Sequence, residues 1–342
     1  MCVFVPDGNH RKPTTMSARL ILMTKRLFLS LILASSSGAA EWEALPVLPA
    51  PNGGGLCGVV GRKIVVVGGT NWEGGTKNWL RTVHEFDPAT QRWSLVKELE
   101  EGPVAYGVGL QDGGAFSILG GSDGKQAVKA IAKIEGTKTK FQAVPELPAS
   151  VVLAAGGVVD GTFIVAGGTD DAANVAGVRS TTHAVTSSEG NWRVRRLADF
   201  PGKAFISAAA AVAGNELFVF GGLNWDEAAQ AIQNTSAAHA FSPGRNTWRT
   251  LKPLGAAARG LTAVALDGRH IYLAGGYTDN FSSEAFIYDV QSNSYRPAKP
   301  LPYAAMVALV KCESFIYCLG GEDKKQSRTD KFFRIPVAEL LK

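Results

Sequence analysis

The chain has 342 residues, a net charge of +5, 46% hydrophobic residues and 4 cysteines. Five basic residues and one acidic residue lie in residues 1–40, so residues 41–342 carry only +1. Such a weakly charged body gives no reason to expect a nucleic-acid partner. Its cysteines, Cys57, Cys312 and Cys318, form no C-x-x-C motif. That pattern argues against a disulfide scaffold or a zinc module and favours buried thiols over a single bridge.

Residues 1–40 have the organisation of a leader that contains a secretory signal peptide. Lys25 and Arg26 precede a short apolar run, 27–34, and small residues follow it. The run is too short to cross a bilayer permanently, and no apolar segment of about 20 residues appears later in the chain. We therefore predict translation from Met23 or Met16 and a secreted, periplasmic protein without a membrane anchor once the signal is removed. An unstructured leader is the alternative.

Six short apolar runs, each ending in a glycine pair, recur along the rest of the chain. Each run has about four β-prone residues, too few for a helix. A strand of small residues precedes each run, and a third segment and then an aromatic segment follow most of them. Four short strands repeated in this way are typical of β-propeller blades. The first glycines of the pairs are 45 to 54 residues apart: Gly68, Gly120, Gly167, Gly221, Gly275 and Gly320.

The sixth repeat lacks its aromatic fourth segment, which is found at the other end of the body. The chain ends soon after FFRI (332–335), whereas EWEALPVLP (41–49) has the fourth-segment pattern, with Trp42 at the tryptophan position. We predict an all-β fold in which residues 41–342 form one six-bladed propeller domain. The mature N-terminal strand completes the last blade and closes the ring, so that no strand edge stays open there.

The repeats resemble the Kelch class, through the glycine pair and a downstream tryptophan at Trp93, Trp192 and Trp248. Phe141 and Tyr295 replace that tryptophan in the second and fifth repeats. The resemblance implies that the loops after the glycine pairs and the starts of the innermost strands emerge on one face. The candidate site residues of that face are the post-glycine segments 71–73, 122–123, 169–170, 224–226, 277–279 and 322–323, which include Asn71, Trp72, Asn224, Trp225 and Glu322, and, at the strand starts, Asn52, Tyr106, Lys203, Arg259 and Met306.

Two tryptophans lie in post-glycine loops that the blade pattern does not explain. Trp72 and Trp225 both occur in the sequence GG-x-Asn-Trp-acid. An indole in a polar loop is suited to stack on a sugar ring while its N–H finds a partner. A loop anchor packed on the next blade is the alternative, and it is the interpretation that we favour for Trp79.

Several other chemistries find no support in the sequence. It has no phosphate-binding G-x-x-x-x-G-K-[ST] loop, no G-x-S-x-G elbow and no H-E-x-x-H motif. His84, His183 and His239 take equivalent third-strand positions in different blades, so they cannot share one metal ion. We expect neither a metal nor a cofactor.

The loop after the sixth glycine pair is the strongest candidate site. Gly321 and Glu322, five further residues and then Arg328-Thr-Asp resemble the active-site loop of the N-acetylneuraminate epimerases, which are mutarotases. The string AYGVGL (105–110) resembles another strand of that family. The Gly-Glu blade comes last here, which resembles a cyclically permuted branch. The resemblance implies that Glu322 is the proton acceptor and Arg328 the second functional residue, and it suggests a homodimer.

The function implied by this resemblance is an isomerase that interconverts the α and β anomers of N-acetylneuraminate or a related sugar acid. Glu322 would act as general base, and Arg328 would bind the substrate carboxylate and keep Glu322 ionised. The general acid is unassigned, with Tyr106 and Arg259 as candidates. The alternative is a non-catalytic Kelch propeller that binds a glycan or a protein; a copper radical oxidase would need Tyr and His ligands that we do not find. The expected substrate-binding residues are Trp72, Trp225, Asn71, Asn224, Tyr106 and Arg259.

Overall fold

The computed structural model describes residues 41–135, 139–144, 147, 151–188 and 191–342. The predicted signal peptide lies outside the described residues. Six four-stranded antiparallel sheets, which we call blades 1 to 6, make up almost all of the fold. Within the described part of the chain, the helices are a 3-10 turn, Val175–Gly177, and helix α1, Val337–Leu340. None of its helices is long and apolar enough to span a membrane.

The strands of blades 1 to 3 follow the chain from the innermost strand outwards. Blade 1 consists of β2 (Leu56–Val60), β3 (Lys63–Val67), β6 (Thr82–Asp87) and β7 (Arg92–Glu98). Blade 2 consists of β8 (Val108–Asp112), β9 (Ala115–Leu119), β10 (Ala130–Ile134) and β11 (Lys140–Ala143). Blade 3 consists of β12 (Ala155–Val159), β13 (Thr162–Ala166), β14 (Thr182–Ser188) and β15 (Asn191–Arg196).

Blades 4 and 5 follow the same order, and blade 6 takes one strand from the start of the described chain. Blade 4 consists of β16 (Ala209–Ala213), β17 (Glu216–Phe220), β20 (Ala238–Ser242) and β21 (Thr247–Thr250). Blade 5 consists of β22 (Arg259–Ala265), β23 (His270–Tyr277), β24 (Ala285–Asp289) and β25 (Ser294–Pro297). Blade 6 consists of β26 (Met306–Cys312), β27 (Phe315–Glu322), β28 (Phe332–Pro336) and β1 (Glu43–Ala44).

The innermost strands contact one another in cyclic order, and that of blade 6 contacts that of blade 1. Their small residues make room for side chains of the neighbouring blade. A Cβ added at Gly58 would overlap the ring of Phe116 in blade 2, and one added at Gly157 would overlap Val212 in blade 4. The second strands are buried on both faces, which explains why they are continuous apolar runs. The predicted all-β, six-bladed propeller is confirmed.

The glycine pairs join each blade to the next. Both glycines of every pair have positive φ, between 55° and 72° at the first and between 90° and 107° at the second. These backbone conformations disfavour any residue with a side chain. The second glycine donates its N–H to a carbonyl just before the innermost strand of the next blade, as Gly69 does to Val104 (2.8 Å) and Gly321 does to Asn52 (2.7 Å).

The joint between blades 6 and 1 involves Asn52 more than once. Besides accepting from Gly321, its backbone N–H donates to Thr329 O (3.1 Å), and its side chain donates to Gly68 O (2.7 Å). Strand β1 pairs antiparallel with β28, and Leu48 N donates to Asp330 O (2.9 Å). Asn52, a candidate site residue from the sequence, is therefore occupied in joining the two blades.

The buried thiol of Cys318 leads to a testable prediction. The cysteines at 57, 312 and 318 are free in the described structure, and Cys318 is fully buried. Burial raises the pKa of the Cys318 thiol to about 12. Because only the thiolate reacts, we expect Cys318 to react at pH 8 roughly 10³-fold more slowly in the native protein than in the unfolded chain. Labelling with an aromatic disulfide, followed by peptide mass analysis, measures this; equal rates in both states would contradict it.

Candidate active site

Glu322 ends strand β27 and lies directly after the glycine pair of blade 6. It pairs with Met306 across a β-bulge that separates Met306 from Ala308. The equivalent residues of blades 1 and 3, Thr70 and Thr169, are fully buried, whereas the Glu322 side chain is 25% exposed. Bulges redirect side chains locally, so Glu322 presents its carboxylate where these two threonines present buried hydroxyls.

Arg328 returns to Glu322 because the loop between them folds back. Thr329 N donates to Gly321 O (3.0 Å), which closes the loop at its base. The Nη1 of Arg328 lies 2.9 Å from Oε2 of Glu322 and also donates to Ser327 O (2.6 Å). The Arg328 side chain is only 6% exposed. A guanidinium so deeply buried needs a counterion, and Glu322 supplies it.

Tyr106, from the start of the innermost strand of blade 2, contacts the other end of the same guanidinium. Nη2 of Arg328 donates to the Tyr106 hydroxyl (3.3 Å), which lies 3.1 Å from Oγ1 of Thr70. Thr70 uses its own proton to donate to Gly53 O (3.0 Å). The hydrogen bond between the two hydroxyls must therefore be donated by Tyr106. The Glu322 carboxylate, the Arg328 guanidinium and the Tyr106 phenol thus form one connected polar group.

The charges around Tyr106 change its acidity. Burial by itself would raise the pKa of the phenol, but the hydrogen bond from Lys77, the contact with Thr70 and the positive charges of Lys77 and Arg328 together outweigh it. The net result is a pKa below the ordinary value of 10.0. Lys77 Nζ lies 4.7 Å from the centroid of the Tyr106 ring. The phenol therefore gives up its proton more readily than an ordinary tyrosine.

A run of glycines makes the space in which these side chains lie. A Cβ added at Gly53 would overlap Cδ and Nε of Arg328, and one added at Gly54 would overlap the ring of Tyr106. Glycine is the residue that allows such close approach of a backbone to other groups. The repeat pattern did not single out these glycines as site residues, although NGGG (52–55) is the only such run before an innermost strand.

The starts of the innermost strands form what we call the axial belt. One residue from each of blades 1 to 5 belongs to it. In blades 2 to 5, the N–H of this residue donates to the carbonyl of the belt residue in the preceding blade, at 2.7 to 3.0 Å. Val307 takes the equivalent position in blade 6, where positive φ would be costly for a β-branched residue. No hydrogen bond between described residues carries the belt through Val307, so the belt is open at the blade of Glu322. The belt has five members, with φ between 54° and 69°: Gly54, Tyr106, Leu153, Ser207 and Gly260.

A cavity of about 330 Å³ lies inside the axial belt. The five belt residues and Val307 line it, together with Glu322 and Arg328. Among the described lining residues these last two are the only charged ones, and Tyr106 is the only aromatic one. A concave site with a few convergent polar groups is the usual form of a small-molecule site. This cavity can place a ligand against a carboxylate, a guanidinium and a phenol at once.

The predicted tryptophan loops are β-hairpins that do not line this cavity. Trp72 and Asn71 lie on the hairpin of β4 (Thr70–Glu73) and β5 (Thr76–Trp79). Trp225 and Asn224 lie on the hairpin of β18 (Leu223–Asp226) and β19 (Ala231–Asn234). Nε1 of Trp72 and Oδ1 of Asn224 are buried and find no hydrogen-bond partner among the residues described. Sugar contacts from these four residues stay a prediction.

Arg259 and Trp79, two further residues considered from the sequence, make defined side-chain contacts. Arg259 donates to Oδ1 of Asn234 (2.8 Å) and lies 4.5 Å from the centroid of the Tyr277 ring, and it does not line the cavity. Its role in substrate binding stays a prediction. Trp79 packs edge-on against Tyr106, with ring centroids 5.6 Å apart, and lies over Gly124 of blade 2. Contact with the next blade is what we expect of an anchor.

Fold and site together define a six-bladed Kelch-type β-propeller with a carboxylate–guanidinium pair in its axial cavity. The Kelch motif matches residues 53–100. The family model of N-acetylneuraminate epimerase matches residues 144–300, which include blades 3 to 5. The resemblance to the N-acetylneuraminate epimerases that the sequence predicted is thus confirmed. The matched region ends before Glu322, so it does not test the predicted roles of Glu322 and Arg328.

Individual relatives are of two kinds. N-acetylneuraminate epimerase of Salmonella enteritidis PT4 is 25% identical over 177 residues, and that of Salmonella typhimurium LT2 is 25% identical over 179 residues. Each alignment covers 41% of this chain and 46% of the relative, so the match spans about half the length of these epimerases. Human Kelch-like protein 33 is 32% identical over 124 residues, which are 35% of this chain and 22% of that protein.

Proposed function

We propose that this protein is a mutarotase that interconverts the anomers of N-acetylneuraminate or a closely related sugar acid. The observation that carries the proposal is the Glu322–Arg328 ion pair, 2.9 Å long, at the axial cavity of a propeller that matches the N-acetylneuraminate epimerase family model. Opening such a sugar ring requires a base for the anomeric hydroxyl and an acid for the ring oxygen. We assign the first of these roles to Glu322, whose side chain lines the cavity.

Arg328 has two tasks in this proposal. It is the counterion of Glu322, with Nη1 2.9 Å from Oε2, and so holds the carboxylate at the cavity. Its Nη1 contacts Glu322 and Ser327 O, and its Nη2 uses one of its two N–H groups for Tyr106. We therefore assign Arg328 a charge-assisted hydrogen bond to the substrate carboxylate, donated by the second N–H of Nη2.

The proposal includes the cyclic permutation. A linear family model cannot align with both sides of a permutation break, so a match confined to residues 144–300 is expected of a permuted chain. Blades joined in a ring keep their neighbours when the order of the chain is rotated. The proposal also includes a secreted, periplasmic mature chain, based on the predicted signal peptide, and a homodimer, based on the resemblance.

The experiment follows the equilibration of pure α-N-acetylneuraminate by NMR. We expect the wild type to exceed the spontaneous rate and Glu322→Gln to lower kcat by about 10²-fold or more, because removal of a general base has this effect. The matched control is Glu43→Gln, which removes a carboxylate paired with Arg334 (2.7 Å) on the outer side of blade 6. It is expected to keep the wild-type rate.

Three outcomes separate the hypotheses. A wild type that does not exceed the spontaneous rate contradicts mutarotase activity. A Glu322→Gln variant as fast as the wild type contradicts the assignment of the base. Tight binding of a glycan or protein without anomer exchange would identify the non-catalytic Kelch propeller instead.

A further inference from the structure

The structure assigns the general acid of the proposed reaction: Tyr106 is positioned to protonate the ring oxygen of the sugar, with Lys77 as its positioning residue. The assignment rests on the proposed mutarotase function and adds to it a catalytic residue. The equivalent belt positions carry glycine, leucine, serine and valine, so Tyr106 is the only titratable side chain among the six.

The first argument is the distance between acid and base. Glu322 contacts Nη1 of Arg328 and Tyr106 contacts Nη2 of the same group. The guanidinium is a rigid planar fork, so the carboxylate and the phenol are held a fixed, short span apart. Both line the cavity. A ring held between them could lose a proton at one oxygen and gain one at another without moving.

The second argument is the state of the Tyr106 proton. Because Thr70 donates to Gly53 O, Tyr106 donates to Thr70 in the resting protein, and its oxygen accepts from Arg328. The phenol is therefore protonated and pointed at a weak acceptor, from which it can turn to a sugar oxygen. The pKa of Tyr106 is lowered, which favours transfer of the proton.

The third argument is the fixed position of the ring. It lies over Gly54, where a Cβ would overlap it, and against the edge of Trp79. The charged groups that face Tyr106 are Lys77 from β5 and Arg328 from the loop after β27; Glu322 lies beyond Arg328. Two cations stabilise the phenolate that forms when the proton leaves. Positive φ at Tyr106 is shared by Leu153 and Ser207, so it is a property of the belt and does not support this assignment.

The proposed step is balanced. Glu322 removes the proton of the anomeric hydroxyl, the oxygen's electron pair forms the carbonyl, and the bond from the anomeric carbon to the ring oxygen breaks. Tyr106 gives its proton to that ring oxygen and becomes a phenolate. After rotation of the open-chain ketone, the phenolate takes the proton back as the oxygen attacks the other face, and Glu322 returns its proton to the new anomeric oxygen.

The test is the pH dependence of kcat for anomer exchange, after subtraction of the spontaneous rate. Tyr106→Phe is expected to lower kcat by about 10²-fold or more, with a smaller effect on KM, and to abolish the loss of activity at high pH. Replacing Tyr106 with a ring-fluorinated tyrosine lowers the phenol pKa. The fall of kcat at high pH, which we call the basic limb, is expected to shift to lower pH by the same amount. Lys77→Met removes a group that lowers the pKa, so the limb should move to higher pH.

Thr70→Val is the matched control: it removes a hydrogen-bond partner of the phenol without changing a charge, so the loss of activity at high pH should move less than in Lys77→Met. A basic limb that does not follow the fluorinated tyrosine, or a Tyr106→Phe variant with wild-type kcat, overturns the assignment of the acid while the mutarotase proposal stands. A wild type no faster than the spontaneous reaction overturns both. Tyr106→Phe keeps the belt, whose hydrogen bonds are made by the backbone, so folding should be retained; thermal unfolding checks this.

Discussion

Replacing Arg328 with methionine is expected to lower kcat for anomer exchange by about 10²–10³-fold, the typical effect of removing one preorganised charged donor. The variant loses the contacts to Glu322, Tyr106 and Ser327 O together. It leaves the carboxylate without its counterion and the phenol without one of its two cations. We measure kcat by NMR as for the wild type.

The same substitution should also reduce stability, by about 2–3 kcal/mol. Breaking a fully buried pair costs about 3–5 kcal/mol, and the cost is smaller here because the remaining carboxylate of Glu322 is 25% exposed and can be hydrated. Urea denaturation measures the change in the free energy of unfolding. The two losses are expected together because one side chain holds both the site and the loop.

Arg334→Met is the matched control for Arg328→Met. Arg334 is also in blade 6, is 18% exposed and pairs with Glu43 at 2.7 Å, but it lies outside the axial cavity. This variant should lose some stability and keep its activity per folded molecule. If Arg328→Met keeps more than about a third of the wild-type kcat, Arg328 has no catalytic task beyond folding.

The second large effect is expected from Gly54→Ala. Its φ of +69° makes any side chain costly by about 1–2 kcal/mol, and the added Cβ would overlap the ring of Tyr106. Because the backbone of Gly54 is held in the belt, the ring is the group that must move. We expect kcat to fall by about 10²-fold, since small displacements of catalytic groups have effects of this size.

Gly61→Ala separates the effect of backbone strain from the effect of moving the Tyr106 ring. Gly61 has almost the same φ, +61°, and no described atom lies within 4 Å of a Cβ added there. Both variants should lose a similar part of their stability to backbone strain, and only Gly54→Ala should lose activity. Equal kcat values for the two variants, measured on folded protein, would show that the position of the Tyr106 ring does not matter.

The blades could be predicted from the sequence because each blade repeats the same local requirements. The glycine pairs need positive φ in every copy, and the second strands are buried in every copy, so the pattern appears six times. Gly58 illustrates a limit of this reasoning. Its small size indicated an innermost strand, but its physical reason, the ring of Phe116 in the next blade, depends on packing between blades.

The candidate site could be predicted only in part. Glu322 and Arg328 are close in sequence, and spacing within one loop suggested that they converge. Lys77 contributes through a hairpin of blade 1 that contacts blade 2, and no local pattern marks it. Trp72 and Trp225 were prominent as loop aromatics, yet both lie on hairpins and neither lines the cavity.

The joint between blades 6 and 1 has a consequence for when activity can arise. Asn52, near one end of the described chain, is hydrogen-bonded to Gly321 and Thr329, which flank Glu322 and Arg328 near the other end. During synthesis the first of these segments emerges long before the second. The site therefore cannot exist on a growing chain that carries only five blades. Enzymatic activity would appear last, and its appearance would report that the two ends of the domain have met.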